Sequence, residues 1–221
     1  MKTWIKALFL YAAALVTIAA MLFVPAGTLD YWQGWLYLIV MFIPVSFVMF
    51  YFLAKDPSFL EKRFQMKEKE RAQKFVQKLG ALIFFVCFLL PGFDIRFGWS
   101  NVPPAVSISA DIVVLLGYAV VFWVFRENSF AGRTIIVEKG QTVISSGPYS
   151  VVRHPMYVGM LALSLATPIA LGSYLAILPF LLIIPLFVLR IRNEEEVLTR
   201  ELKGYNEYCR KVRYRLAPGF W

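Results

Sequence analysis

The sequence holds one histidine, His154, and two cysteines, Cys87 and Cys209. A zinc site needs three or four ligands, so a lone histidine argues against a metal centre. One cysteine sits in an apolar run and the other in a basic tail, so no disulfide or metal framework is expected. Soluble-enzyme motifs are missing too. There is no GxGxxG, no P-loop, no HExxH, and no GxSxG followed by a histidine. Charge is scarce: 17% of residues, with only 14 acids among 221. The short alternating apolar segments of a transmembrane β-barrel are also absent.

Long apolar runs are present instead. Hydrophobic residues make up 59% of the chain, and mean hydropathy is +0.64. About 20 apolar residues suffice to cross a bilayer as a helix. The sequence therefore predicts an all-α, polytopic integral-membrane helical bundle with six transmembrane helices. The spans are expected at 4–24, 31–54, 79–93, 106–125, 155–171 and 174–189. The first is too long for a signal peptide and is read as an uncleaved span. Trp32, Trp35 and Tyr37 lie near the start of the second as interfacial anchors. Between spans two and three, 55–78 mixes charge with spaced apolar residues. It reads as a helix along the membrane surface or as a solvated loop helix. The polar stretch 126–155 contains "RTIIVEKGQTVIS", which alternates like short extended segments around a turn. Asp111, near the start of span four, reads as interfacial. Two regions are expected: 1–105, N-terminal helices with the interfacial segment, and 106–221, the core that carries the chemistry.

The net charge of +9 raises nucleic acid as a partner, but the basic residues lie in loops between spans. There they set topology and meet anionic lipid. With six spans, 22 of the 23 Lys and Arg fall on one side, and Arg96 alone on the other. The positive-inside rule then places both termini and the large loops in the cytoplasm. Nucleic acid is not an expected partner; membrane lipid is.

This arrangement puts "SGPYSVVRHPMYVG" on the same side as "RIRNEEEVL". Spans five and six form a hairpin whose ends meet, so Arg153 and His154 should lie near Glu194, Glu195 and Glu196. Pro155 suits a first helical turn. The free N–H groups of that turn, with the Gly147–Pro148 turn, offer a place for a carboxylate or phosphate. Tyr157 can share a face with Arg153 and His154. Gly159 admits a close ligand or helix. Each residue also has a plain reading: Arg153 as a headgroup anchor, His154 as a hydrogen-bonded structural group, Tyr149, Tyr157, Tyr205 and Tyr208 as interface tyrosines, and the glutamates as a solvated turn. A transporter would place charge at mid-depth, and spans one, two, five and six carry none there.

The series G-P-Y, R-H-P-x-Y-x-G, E-E-x-x-L, "GYNEY" and "RLAP" over residues 115–221 resembles the isoprenylcysteine carboxyl methyltransferase family. More broadly it is similar to the membrane methyltransferases that include phospholipid N-methyltransferases. RHPxYxG alone is shared with NADPH-dependent sterol reductases. The resemblance implies S-adenosylmethionine at the cytoplasmic face and a lipophilic or prenylated acceptor entering from the bilayer. It assigns catalysis to Arg153 and Glu194. It lines the cofactor site with Gly147, Pro148, Tyr149, His154, Tyr157, Gly159 and Glu195, with no metal.

Overall fold

The computed structural model describes residues 3–65, 71–131, 135–219 and 221, with side chains described for 4–61, 78–131, 135–219 and 221. It is all-helical among those residues. α1 (Thr3–Ala26), α2 (Trp32–Lys55), α3 (Pro57–Gln65), α4 (Arg71–Phe97) and α5 (Pro104–Glu127) come first. A 3₁₀ turn (Gly147–Ser150), α6 (Pro155–Ala170), α7 (Ile177–Leu181), α8 (Ile183–Glu201) and α9 (Tyr205–Lys211) follow.

Among the described residues four helices are long and apolar enough to cross a membrane: Trp4–Ala26, Trp32–Lys55, Lys78–Phe97 and Pro104–Glu127. They match the first four expected spans, the third running longer than its sequence estimate. Only 22–33% of each is buried inside the protein. The remainder, including Val16, Val24, Ile43, Phe47 and Leu116, points outward as a lipid-facing surface requires. The fifth expected span is the shorter apolar helix α6. The sixth is interrupted: α7 ends at Leu181, and α8 resumes at Ile183. Pro179 and Pro185 lie on either side of that break, where missing N–H groups loosen the helical ladder. Beyond the apolar stretch α8 continues as helix through the three glutamates to Glu201.

Two expectations change. Residues 135–145 form irregular chain around a turn at Lys139–Gly140, with no strand among the described residues. Side-chain and turn bonds satisfy this backbone in place of a ladder. Gln141 N–H donates to the Glu138 carbonyl at 3.0 Å, and Glu138 N–H donates to Gln141 Oε1 at 2.8 Å. Asp111 is inside the bundle, 3% exposed, rather than at an interface. Of the surface segment, 57–65 is helical as α3, 71–78 extends α4, and 66–70 lies outside the described residues.

In a bilayer, packing and hydrogen bonds hold helices together, because lipid is as apolar as leucine. Both features are present. α5 lies along α6 with backbones in contact at two glycines. A Cβ on Gly159 would stand 2.9 Å from the Gly117 carbonyl, and one on Gly117 2.9 Å from the Gly159 carbonyl. At the end far from the glutamates, polar groups fasten the α6–α7 turn. Asp94 is 1% exposed. It accepts from Ser100 N–H at 2.6 Å, from Ser100 Oγ at 2.7 Å and from Ser173 Oγ. Tyr31 donates to the Leu171 carbonyl at 2.6 Å, and Tyr37 hydrogen-bonds Thr167 at 2.8 Å. The turn is thus pinned to α2 and α4, and α6 and α8 lie antiparallel with Arg153 and Glu195 at the same end.

Replacing Gly159 with alanine forces one methyl against a backbone carbonyl. A loss of about 1–3 kcal/mol is expected, measured as a lower unfolding midpoint in detergent. An unchanged midpoint would show that the α5–α6 contact is not rigid.

Candidate active site

His154 is the residue that caps α6, with Pro155 in the first turn. Its ring turns away from its own helix and reaches α8. His154 Nε2 lies 3.1 Å from Glu195 Oε1. Arg153 Nε is 3.3 Å from the same oxygen. Arg215 Nε donates to Glu195 Oε2 at 2.8 Å. One buried carboxylate thus ties the start of α6, the middle of α8 and the C-terminal tail. The tail is fixed through its backbone as well. Arg153 N–H donates to the Tyr214 carbonyl at 2.9 Å, and His154 N–H to the Arg215 carbonyl at 3.0 Å. Arg153 Nη2 also donates to the Arg213 carbonyl at 3.3 Å. The Arg215 guanidinium lies over the Trp221 ring, 5.2 Å from its centroid.

Burial alone would raise the Glu195 carboxyl. The hydrogen bonds from His154 and Arg215 and the charges of His154 and Arg153 outweigh it and hold the group below the usual carboxylate range. An ionised carboxylate only accepts, so Nε2 of His154 carries the proton in that contact.

Glu194 occupies a different place. Tyr157 donates to Glu194 Oε2 at 2.8 Å, and Arg190 Nε donates to the Tyr157 oxygen at 2.9 Å. Tyr157 is 2% exposed and packs edge-on against Phe187. The chain Arg190–Tyr157–Glu194 therefore has one orientation.

Above these groups lies a cleft, partly open to solvent, with a cavity volume of about 100 Å³. Arg153, His154, Tyr157, Arg190 and Glu194 line its floor. Asn128, Gln141 and Tyr149 supply polar wall, while Ile135, Val143, Leu198 and Leu202 make the rest apolar. Tyr205 and Tyr208 close one side. Tyr208 donates to the Tyr149 carbonyl at 2.7 Å, and Asn128 Nδ2 donates to the Tyr149 oxygen at 2.9 Å. Burial raises all three phenols, Tyr149 to about 12, so all remain protonated at neutral pH. The Tyr205 hydroxyl is buried without a hydrogen-bond partner among the described residues, and its side chain lines the cleft. A buried donor left in this state calls for a ligand or water.

Tyr149, Arg153, His154, Tyr157 and Glu194 thus share one cleft. Glu195 lies behind its floor as the anchor of Arg153 and His154. Gly147 and Pro148 shape the wall from outside: Gly147 has φ +55°, and a Cβ there would meet the Glu127 carboxyl at 2.9 Å. Gly159 packs on Gly117, one turn below the cleft. Glu196 is exposed. Arg190, Asn128, Gln141, Tyr205 and Arg215 were not singled out for the site. Arg190 had a signal in its spacing, since it precedes Glu194 by four residues and so shares its helix face.

Residues 106–204, just under half the chain, match the family model described as phospholipid methyltransferase. The Delta(14)-sterol reductase of Mus musculus is 35% identical over 104 residues, 42% of this chain and 24% of the reductase. The protein-S-isoprenylcysteine O-methyltransferase of Schizosaccharomyces pombe is 36% identical over 76 residues, 34% of this chain and 32% of that enzyme. These matches span under a third of either relative's length. The solved eukaryotic intramembrane Ras methyltransferase, an isoprenylcysteine carboxyl methyltransferase, aligns over 97% of this chain and 85% of its own at 16% identity, with a TM-score of 0.49. The resemblance of the C-terminal half to the membrane methyltransferases is borne out by the family match and the Schizosaccharomyces pombe relative.

The Glu195 cluster sets a pH dependence. A carboxyl depressed in the folded state contributes stability above its unfolded value, near 4.5. That contribution is lost as pH falls through the lower folded value. Glu195→Gln leaves Arg153, His154 and Arg215 around a neutral amide, and a cost of about 3–5 kcal/mol is expected at pH 7. Unfolding midpoints measured from pH 7 to pH 3 should draw closer for wild type and variant as the pH falls. Parallel curves would contradict the assignment.

Proposed function

We propose that this chain, whose C-terminal half resembles the membrane methyltransferases, binds S-adenosylmethionine in the cleft and methylates a lipophilic acceptor arriving from the bilayer. The acceptor that suits the site is the carboxylate of an isoprenylcysteine-like compound, and the cleft is assigned to the cytoplasmic face. The carrying observation is the cleft floor. There Glu194 is aimed by Tyr157 and Arg190, and Arg153 is aimed by the buried Glu195.

The residues fit the cofactor. Glu194 is a carboxylate at a wall that can face a sulfonium or ammonium charge. Tyr205 has an unmet hydroxyl, and the tyrosine and aliphatic walls suit an adenine ring. When bound, S-adenosylmethionine supplies an electrophilic methyl carbon. Arg153, Arg190 and Arg215 stand against the two carboxylates Glu194 and Glu195 at the floor, which leaves positive charge in excess. An anionic acceptor is therefore favoured over a cationic amine. An ionised carboxylate needs no general base, so the residues have to orient it and exclude water. The docked tail and residues 128–131 and 135–146 do the excluding.

NADPH-dependent reduction is the second reading, favoured by the match to the sterol reductase. Cofactor binding separates the two readings.

Titration calorimetry on detergent-purified protein should detect S-adenosylmethionine and not NADPH. Glu194→Gln should weaken cofactor binding about tenfold or more, the scale of a charge-assisted hydrogen bond. NADPH binding without S-adenosylmethionine binding would reverse the ranking of the two readings. With labelled S-adenosylmethionine, prenylcysteine analogues should be labelled and phosphatidylethanolamine should not. Arg153→Ala should cut that labelling about 10²-fold. Label in the phospholipid alone would move the acceptor to an amine and make Glu194 the candidate base.

A further inference from the structure

Where the chain leaves α5, one side faces the cleft and the other faces a second hollow of about 380 Å³. Tyr51, Lys55 and Asp56 reach it from the end of α2, and Arg126 and Ser129 from the end of α5. Its base is aromatic. Phe52 and Phe59 stack with centroids 4.3 Å apart, and Phe125 lies edge-on to Phe59 at 5.5 Å.

Lys55 Nζ donates to the Tyr51 oxygen at 3.1 Å, and Arg126 lines the same hollow. The Arg126 guanidinium lies 6.0 Å from the Phe122 centroid. Among the described residues neither cation pairs with a carboxylate. The acid nearby is committed elsewhere: Asp56 Oδ1 accepts from Ser58 Oγ at 2.6 Å and from Phe59 N–H at 3.3 Å, at the start of α3. Two exposed cations therefore share one hollow.

Lys55 and Arg126 end two membrane-crossing helices, which sets the hollow at headgroup depth. Toward mid-membrane, Phe47 is 57% exposed and Trp123 50% exposed, so the hollow continues into lipid-facing surface. A free anion would use the cations alone. A lipid uses the cations and the apolar surface together.

We propose that this hollow binds an anionic glycerophospholipid, with its phosphate between Lys55 and Arg126 and its acyl chains along Phe47 and Trp123. The site does not depend on the methyltransferase reading. It is nonetheless connected to the cleft: Arg126 and Ser129 face the hollow, while Asn128, Phe130 and Ala131 face the cleft. A bound lipid would steady the turn that walls the cleft.

Native mass spectrometry of the full chain in neutral detergent, titrated with dioleoyl phosphatidylglycerol or dioleoyl phosphatidylcholine, tests it. A juxtamembrane cation is worth about a fivefold gain in binding to anionic lipid. Wild type should therefore retain phosphatidylglycerol roughly 30-fold more tightly than phosphatidylcholine. Lys55→Gln with Arg126→Gln should abolish that preference, while Lys55→Arg with Arg126→Lys should keep it, all three proteins having the same circular dichroism. Equal retention of both lipids by wild type, or full preference in the double glutamine variant, overturns the proposal. Competition separates the two sources of phosphate. Inorganic phosphate displacing the lipid as effectively as short-chain phosphatidylglycerol would assign the hollow to free anions and overturn the lipid site.

Discussion

The burial of one carboxylate governs this end of the molecule. Glu195 cannot sit away from water as an ion unless cations and donors surround it, because desolvating a charge costs several kcal/mol. Its partners come from two separate stretches, Arg153 and His154 before α6 and Arg215 in the tail, and Glu195 itself sits on a third, α8. Satisfying one charge therefore requires all three stretches in register. The cleft follows from that requirement, since its floor is made by side chains next in sequence to, or anchored by, the cluster.

The opposite end of the bundle makes the cluster possible. Asp94 and its serines hold the α6–α7 turn, and Tyr31 holds the Leu171 carbonyl. Between the two ends, α5 and α6 touch at Gly117 and Gly159, where side chains would keep the backbones apart. In lipid there is little hydrophobic gain from joining helices. A close backbone contact and a few buried polar ties have to carry the alignment. The break between α7 and α8 is tolerated because both of its ends are held.

Much of this was legible in the residues. Long apolar runs located the helices, and the hairpin geometry brought Arg153 near the glutamates. What the sequence did not resolve has local physical causes. Three consecutive glutamates differ by about 100° each around a helix, so only packing decides that Glu195 turns inward, Glu194 faces the cleft and Glu196 meets solvent. Gly159 could serve a ligand or a helix, and the distinction rests on Gly117, 42 residues earlier in the numbering. The alternation in "RTIIVEKGQTVIS" suggested short extended segments, yet Ile135, Ile136, Val143 and Ile144 are spent on the cleft wall. Asp111 carried no sign of its burial, because a helix near an interface looks the same in sequence whichever way its acid points.

The pairing of residues 153 and 154 with 214 and 215 bears on how the molecule is made. Every membrane helix needed for the scaffold has left the ribosome before the tail that completes the cleft. Insertion into the bilayer and completion of the cleft are therefore separable in time. A newly inserted chain would hold Arg153, His154 and Glu195 together while still lacking Arg215. Completion of the cleft is thus a later event than formation of the bundle, made by a segment that follows the last apolar stretch.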